Sequence, residues 1–525
     1  MSSTSNNNYE NNLGYLFSDQ TKRNPDSVCI IDLFEGDEKR LTYGEFERRI
    51  DRAARRLYAA GLRDGDRLAL FAGNRSAFLE VFFGAMRMGA IPAPANHAAP
   101  RATIAQVLDD TTDRAAVVDM TSCARVADVV DAHGVEVRIA LDGDRAGWQS
   151  WDDLPGRRAV AYPEPHVTPT CQAFQPYTAG STGRPKGVVL THHGMMWSAR
   201  MSQRFWPVTP DRRGLVAVPL FHKNAMRGTV KPMLYGGGSI VLLPHFTPAS
   251  FLTALANHRC TDVTAVPAVF HKLSAERDLL GRLDLTSVTR VNVGSASVSP
   301  ELLADLRGLF PRATVLEAYG LTEGGGPLRP PPDGRPVPLG SCGVPAPETD
   351  IRLVDRDGRN VEEGELWVRS PAVARGYHNR PDETARRFAG GWLKTGDIFR
   401  RDADGFFHFR GRVDDMFSCG GENVYPKEVE ALLVHHPAVA DAVAAPLEHA
   451  VKGHAPAAVV VLKPGKDISE DALKRFALSN GPTYLHPRRI LFVRAIPTTP
   501  AGKPDRAKVA ADLAAVFGRI AGGGQ

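Results

Sequence analysis

Apolar and polar positions alternate with two different periods over residues 1–145. Phe46, Ile50, Ala53, Ala54 and Leu57 recur at the spacing of one helical face. Thr42-Tyr-Gly-Glu45 just before them reads as a capping box, and Gly61 just after them suits the left-handed C′ position. The apolar run 67–72 predicts a short buried strand, and 75–88 predicts another helix closed by Gly89. Runs 115–119 and 135–141 predict two more strands, each following a helical stretch. This βαβα rhythm implies a parallel sheet covered by helices on both faces. It continues past residue 200, with strands expected at 213–219, 238–243 and 288–294. In open sheets of this kind, ligands gather at the carboxyl ends of the strands. Residues 325–346 are rich in Pro and Gly, and 349–410 reads as strand-rich with turns at Asp357-Gly358 and Asp404-Gly405. The last hundred or so residues read as a small α+β unit, with helices at 427–436 and 469–480 and strands at 455–463 and 488–496.

A chain of 525 residues allows three or four domains, and 43% hydrophobic with 23% charged residues is ordinary globular composition. Lys+Arg 64 against Asp+Glu 59 leaves +5, too little on a chain this long to suggest a nucleic-acid partner. The six cysteines form no CxxC pair, which argues against a zinc ribbon or a redox motif and suits free thiols in the cytoplasm. The N-terminus has neither a basic region nor an apolar core, so no secretory leader is expected, and the first dozen residues read as a mobile tail. No apolar stretch of about 18 residues is present to span a membrane. The pairs His192-His193 and His435-His436 lack zinc-ligand spacing and read as surface histidines.

The most informative segment is Tyr177-Thr-Ala-Gly-Ser-Thr-Gly-Arg-Pro-Lys-Gly187. Its glycines allow positive φ and close backbone approach, and successive N–H groups in such a turn form an anion nest. Thr178, Ser181 and Thr182 add hydroxyls and Lys186 adds a point charge, a set that suits a triphosphate. Two residues separate Gly183 from Lys186, so the spacing is not that of a P-loop kinase or ATPase.

Five further segments follow in order: Pro219-Leu-Phe-His222; Glu317-Ala-Tyr-Gly-Leu-Thr-Glu323; Trp392-Leu-Lys-Thr-Gly-Asp397; Gly411-Arg-Val-Asp-Asp415 with Gly420-Gly-Glu-Asn-Val-Tyr-Pro426; and Pro500-Ala-Gly-Lys503 with Arg506. Together with the glycine-rich loop, this series resembles the adenylate-forming superfamily of acyl-CoA synthetases, peptide-synthetase adenylation domains and beetle luciferases. The run from Gly411 to Pro426 is most similar to acyl and aryl acid–CoA ligases. Luciferases carry a lysine where Ser418 stands, and amino-acid activators place an aspartate in the segment after Pro219.

The resemblance implies a large N-terminal domain, 1–412, of doubly wound mixed sheets with a small β-rich subdomain. It also implies a small mobile α+β C-terminal domain, 413–525, hinged near Asp414. ATP would lie on Thr178, Ala179, Gly180, Ser181, Thr182, Gly183 and Lys186, beside Gly294, Ser295 and Ala296, and against Glu317, Ala318, Tyr319 and Gly320. Tyr319 would offer a flat face to adenine, Asp397 and Arg412 would hold the ribose, and Thr322 would hydrogen-bond the α-phosphate. Glu323 would supply a hard oxygen to Mg²⁺. Lys503 would bridge the incoming carboxylate and the α-phosphate, where charge builds. After adenylation the small domain would rotate about Asp414, bringing Gly420 and Gly421 in to pass the slim thiol arm of CoA. His222 would wall the acyl site or shape the thiol entry, with a structural role equally open.

The expected reaction joins a small carboxylic acid to ATP, then passes the acyl group to CoA. An amide ligase using an amine acceptor would share every adenylation motif. A non-catalytic nucleotide binder is disfavoured by the presence together of Lys503, Glu323 and Asp397. The acyl pocket is expected from parts of 221–228, 266–270, 294–297 and 319–325, where Phe221, Val266 and Ala296 suit an aryl or medium alkyl acid. Lys223 and Arg227 either read a second acid group or face solvent. Oligomeric state has no signature in the sequence.

Overall fold

The computed structural model describes residues 11–36, 38–111, 114–156, 162–163, 165–179, 184–294, 298, 300–420, 422–499 and 504–520. The largest sheet has seven strands in the order Thr314–Ala318, Arg290–Gly294, Asp262–Ala265, Arg213–Val216, Ser239–Leu242, Val28–Asp32 and Lys39–Thr42. All neighbours are parallel except the edge pair Val28–Asp32 and Lys39–Thr42. A second sheet runs Ile91–Pro94, Arg67–Phe71, Ala115–Asp119, Val137–Asp142 and Gln149–Ser150, and is parallel throughout.

Between these sheets lie the helices Tyr43–Ala59 and Ser76–Arg87. The first carries the capping box of Thr42 and Glu45, and buries Phe46, Ile50, Ala53, Ala54 and Leu57. The helices can touch because Gly84 has no side chain: a Cβ there would sit 2.7 Å from Ala53 Cβ. Phe17, Phe46, Phe82, Phe83 and Phe174 form the aromatic centre of this core.

An antiparallel sheet follows, with Asp350–Val354, Glu363–Arg369, Trp392–Arg401 and Phe388–Ala389 in line and Phe407–Arg412 beside Trp392–Arg401. The C-terminal sheet begins at Phe417–Cys419 and is centred on the long hairpin of Val439–His449 and Gly453–Leu462. Helices Pro426–Val434, Glu470–Asn480 and Arg506–Phe517 belong to this last unit.

Among the elements not anticipated from the sequence, three stand out. Strand Asp262–Ala265 sits in the middle of the large sheet, although it opens on a carboxylate. Asp262 is 3% exposed there because Arg212 and Arg290 both pair with it. Strand Val439–His449 is rich in alanine and carries little β signal, and helix Arg506–Phe517 follows directly on a Pro/Gly segment.

Other expectations need correction. The tail is already packed at Asn12, whose amide donates to Met86 O at 2.9 Å and Arg87 O at 3.3 Å. His192 is buried rather than on the surface, because its Nδ1 accepts the Leu13 N–H at 2.9 Å. Burial pushes its pKa down to about 4 and keeps the ring neutral. All six cysteines are free thiols, five of them buried. No helix among the described residues is long and apolar enough to cross a membrane.

Candidate active site

Tyr319 stands just past the end of strand Thr314–Ala318, at the carboxyl edge of the large sheet. Its hydroxyl donates to Asp397 Oδ2 at 2.6 Å, and its ring meets Phe399 edge-on at 4.8 Å. Asp397 and Arg412 are direct partners across two antiparallel strands, and Arg412 Nη1 donates to Asp397 Oδ1 at 3.1 Å. Asp397 is 6% exposed. Burial raises its pKa, and Arg412 and Tyr319 pull it partly back. Burial acts downward on Arg412, but the carboxylates of Asp397, Asp415 and Asp414 outweigh it and hold the guanidinium above its usual range. The result is a polar corner made by two sheets, with a carboxylate and a guanidinium fixed side by side.

The glycine-rich loop is carried by a hairpin in which Lys186 opposes Thr178 and Gly187 opposes Tyr177. Tyr177 donates its hydroxyl to Asp110 Oδ2 at 3.1 Å and accepts from Gln175 Nε2 at 2.9 Å. Gly187 is required by this packing, since a Cβ there would lie 2.8 Å from Asp110 Oδ2 and run into the Gln175 amide. Gly180, Ser181, Thr182 and Gly183 lie outside the described residues, as does the side chain of Ala179.

Lys186 is not a free point charge. It pairs with Glu383, and its ammonium stands 5.5 Å over the Tyr377 ring. The Tyr377 hydroxyl in turn donates to Glu323 Oε1 at 2.9 Å. Glu323 is buried, and its backbone carbonyl accepts from Ala374 N at 2.7 Å. A chain of contacts thus runs Glu383, Lys186, Tyr377, Glu323. Sequence reasoning missed Tyr377 and Glu383. Their only signal was position, in a Gly-Tyr pair and an acidic first helical turn, and neither residue type announces phosphate or metal chemistry.

The segment expected to line the acyl pocket forms one continuous helix from Lys223 to Gly236, whose middle, Met226–Val230, widens into a π-turn. Such turns are common at functional sites. Lys223, Arg227 and Lys231 fall four residues apart along it, and Lys223 and Lys231 are buried. This removes the solvent-facing alternative for Lys223. Its ammonium donates to the Thr322 carbonyl. Arg227 keeps some exposed surface but is packed against the backbone of Gly320, where a Cβ would lie 2.7 Å from its Cζ.

His222 caps this helix, its ring 4.5 Å from Phe221. Gly294 ends its strand opposite Ala318, where a Cβ would run into the Ala318 carbonyl oxygen. Glu317, the residue before Ala318, has its pKa raised by burial. Thr178 and Thr322 are both half-buried. Asp414 is exposed in the turn between Phe407–Arg412 and Phe417–Cys419. Gly420 adopts φ +62° and donates its N–H to the Lys452 carbonyl, apart from the Asp397 and Glu323 networks. Ser295, Ala296, Gly421 and Lys503 lie outside the described residues.

The structure therefore assembles Lys186, Tyr319, Glu323, Asp397 and Arg412 at the ends of two sheets. A model of AMP-binding enzymes matches residues 17–378, and a model of the AMP-binding enzyme C-terminal domain matches 428–503. The chain belongs to the AMP-binding enzyme family. It is 34% identical over 468 residues to a feruloyl-CoA synthase of Amycolatopsis sp, covering 88% of this chain and 92% of that one. It is 30% identical over 524 residues to 4-coumarate–CoA ligase 2 of Oryza sativa subsp. japonica, covering 94% and 90%. Among solved structures, the amide bond synthetase McbA from Marinactinospora thermotolerans superposes with a TM-score of 0.85 at 27% identity, covering 95% of this chain and 99% of that one.

Proposed function

We propose that this chain is an ATP-dependent acid–CoA ligase of the AMP-forming kind. A carboxylate oxygen of the acid attacks the α-phosphorus of ATP, and pyrophosphate leaves with the bond's electron pair. The thiol of CoA then attacks the acyl carbon of the adenylate, loses its proton, and AMP departs. The observation that carries this reading is the corner of Tyr319, Asp397 and Arg412 next to the Glu323–Tyr377–Lys186 chain. It offers a carboxylate acceptor and a guanidinium donor for ribose hydroxyls beside groups suited to phosphate.

Magnesium fits Glu323. Mg²⁺ is usually held by one or two carboxylates together with substrate phosphates rather than by a protein-only cage. Among the described residues no group of three or more His, Cys, Asp or Glu forms such a cage, while Glu323 is a carboxylate next to the hairpin lysine's partner Tyr377. Bound there, the ion would neutralise phosphate charge. Thr322 would face the α-phosphate. Lys503 would supply the cation where charge grows in the first step.

The 1–412 and 413–525 division, with Asp414 as hinge, belongs to this proposal. Its support is that one sheet ends at Arg412 and the next begins at Phe417. Within the C-terminal unit Arg506 pairs with Asp415 at 3.4 Å and with Glu430 at 2.7 Å. The likeness to an amide bond synthetase supports an amine as second acceptor. Supplying CoA and an amine together and identifying the product decides between them.

The test of the first step is Lys503→Ala. Pyrophosphate release should fall about 10²–10³-fold, the usual cost of one group aimed at transition-state charge. Acyl-adenylate supplied directly should still be converted with CoA. Undiminished pyrophosphate release would overturn the assignment.

A further inference from the structure

The acyl side of the site holds more positive charge than the protein neutralises. Lys223, Arg227 and Lys231 line one helix, and Arg329 joins them from beyond the Gly324-Gly-Gly326 run. Among the described residues none of the four has a carboxylate within ion-pair distance, and Arg227 has no hydrogen-bond partner either. Arg329 Nε is buried without one. Glu323 acts on Lys223 only at longer range. Burial pushes Arg227 down to about 10, Arg329 to about 9 and Lys231 to about 7. A guanidinium nevertheless stays charged, and burying a charge without a partner is expensive. Arg227 and Arg329 are half-buried rather than sealed in, so the cluster is open to an anion from outside.

Position says which anion. The Arg227 guanidinium lies against the backbone of Gly320 and Gly326, both in the loop that carries Thr322 and Glu323. These glycines leave no side chain between it and the space next to the loop. Gly228, the next residue on the helix, faces Thr264 at the carboxyl end of its strand, where a Cβ would be 3.0 Å from Thr264 Cγ2. Arg227 therefore points between the helix, the sheet edge and the loop, the space expected for the acyl group. The hairpin lysine, Lys186, belongs to a separate chain through Glu383 and Tyr377.

We propose that the acid activated here carries a second carboxylate, held by Arg227 in a bidentate pair and electrostatically supported by Lys223 and Arg329. The proposal rests on the ligase reading above and names its substrate class. A planar guanidinium matches a planar carboxylate with two parallel N–H···O bonds, which fixes the acid's orientation as well as its affinity. Loss of one partner from such a buried pair weakens binding about 30- to 5,000-fold.

The test compares matched acids on the full chain: 4-carboxycinnamate against cinnamate, and glutarate against butyrate. Pyrophosphate release should favour the diacid of at least one pair by about 10²-fold or more in kcat/KM. Arg227→Met should erase that preference, and Arg227→Lys should restore part of it. Calorimetric titration in the presence of AMP gives a readout that does not need turnover. There the preferred diacid should bind the wild type more tightly than its monoacid, and Arg227→Met should lose the difference. Monoacid turnover with no diacid binding or preference overturns the second-carboxylate site and leaves the ligase reading standing. Diacid binding that depends on Arg227, with no pyrophosphate released from any acid, overturns the ligase reading and leaves the site standing. An Arg227→Met protein that melts normally and treats both members of each pair as the wild type does also overturns the site.

Discussion

On the side proposed for the nucleotide, Asp397 is buried between a tyrosine hydroxyl and an arginine, and every oxygen of its carboxylate has a donor. On the acyl side, Arg227 is packed between a helix and a loop with no anion supplied by the described residues. Both are charges held against the same Tyr-Gly-Leu-Thr-Glu segment, Asp397 through Tyr319 and Arg227 through Gly320. The first is solved within the protein and can only be borrowed by a ligand that replaces or shares its donors. The second is left open. A site that pairs its own charges sets geometry for a ligand common to a whole family, whereas an unpaired charge selects among acids. On the proposed reading, this division places the choice of acid on the helix from Lys223 to Gly236.

The largest effect expected from this contrast lies at Asp397. In Asp397→Ala, the Tyr319 hydroxyl and the Arg412 guanidinium lose their shared acceptor. Truncating one partner of a buried hydrogen-bonded charge pair costs about 2–5 kcal/mol. The KM for ATP should rise about 10²-fold or more, while the ratio of diacid to monoacid rates stays as in the wild type. Steady-state pyrophosphate release over a range of ATP measures both. If Arg227→Met raised the ATP KM as much as Asp397→Ala, the two walls would not be separate and the comparison would fail.

Next in size is a gain in stability. Lys231 is 1% exposed, its ammonium nearest the Met195 sulfur at 3.4 Å. Burial, and then the charge of Arg227, lower its pKa to about 7 from an ordinary lysine value. The unfolded chain therefore binds one more proton than the folded one between about pH 7 and pH 10.5, and stability rises with pH across that window. Below pH 7 the full penalty is present. Lys231→Met removes it, so the variant should be more stable by about 1–4 kcal/mol at pH 6.5, as when buried ions give way to apolar side chains. The gain should shrink as pH approaches 10. Thermal melting at pH 6.5 and pH 9.5 reads both points, and a gain that is the same at each would show that Lys231 is not perturbed.

The contrast between the two walls also shows what could be read from the sequence and what could not. Periodicity was enough for the helices between the sheets, since Phe46 to Leu57 bury at the positions the 3.6 spacing marks. It failed at Asp262–Ala265, because a central strand that begins on an aspartate becomes tolerable only when Arg212 and Arg290 arrive from elsewhere in the chain. The motif residues announced themselves by type and order, and Tyr319, Asp397 and Arg412 do meet. Motifs say nothing of the residues that hold them, so Tyr377 and Glu383 went unmarked. Nor does a sequence distinguish a lysine in water from one under a loop. Lys223 could be placed only once the Thr322 carbonyl was seen to accept its proton. His192 was misjudged for the same reason, as its acceptor role depends on Leu13, 179 residues away.

The smallest effect concerns Tyr377, which links the nucleotide wall to the phosphate hairpin. Its ring packs edge-on against Phe388 at 5.5 Å and lies beneath the Lys186 ammonium, so Tyr377→Phe keeps both contacts and loses only the hydroxyl. That hydroxyl donates to Glu323 Oε1 at 2.9 Å. A hydrogen bond to a charged group contributes about 1.5–3 kcal/mol. Two outcomes oppose each other. If the hydroxyl aims Glu323 at a magnesium ion, its loss lets the carboxylate swing, and the Mg²⁺ concentration for half-maximal pyrophosphate release rises about 3- to 10-fold. If the hydroxyl instead competes with the metal for Oε1, its loss leaves that concentration unchanged or lowers it. The buried setting of Glu323 favours the first, because a carboxylate in a confined space needs a fixed partner to hold one rotamer. The choice of acid should not move in either case, since Arg227 and its loop contacts are untouched. A Tyr377→Phe enzyme with altered preference between diacid and monoacid would mean that the chain from Glu383 to Glu323 reaches across to the acyl wall, and that the two sides share more than the loop between them.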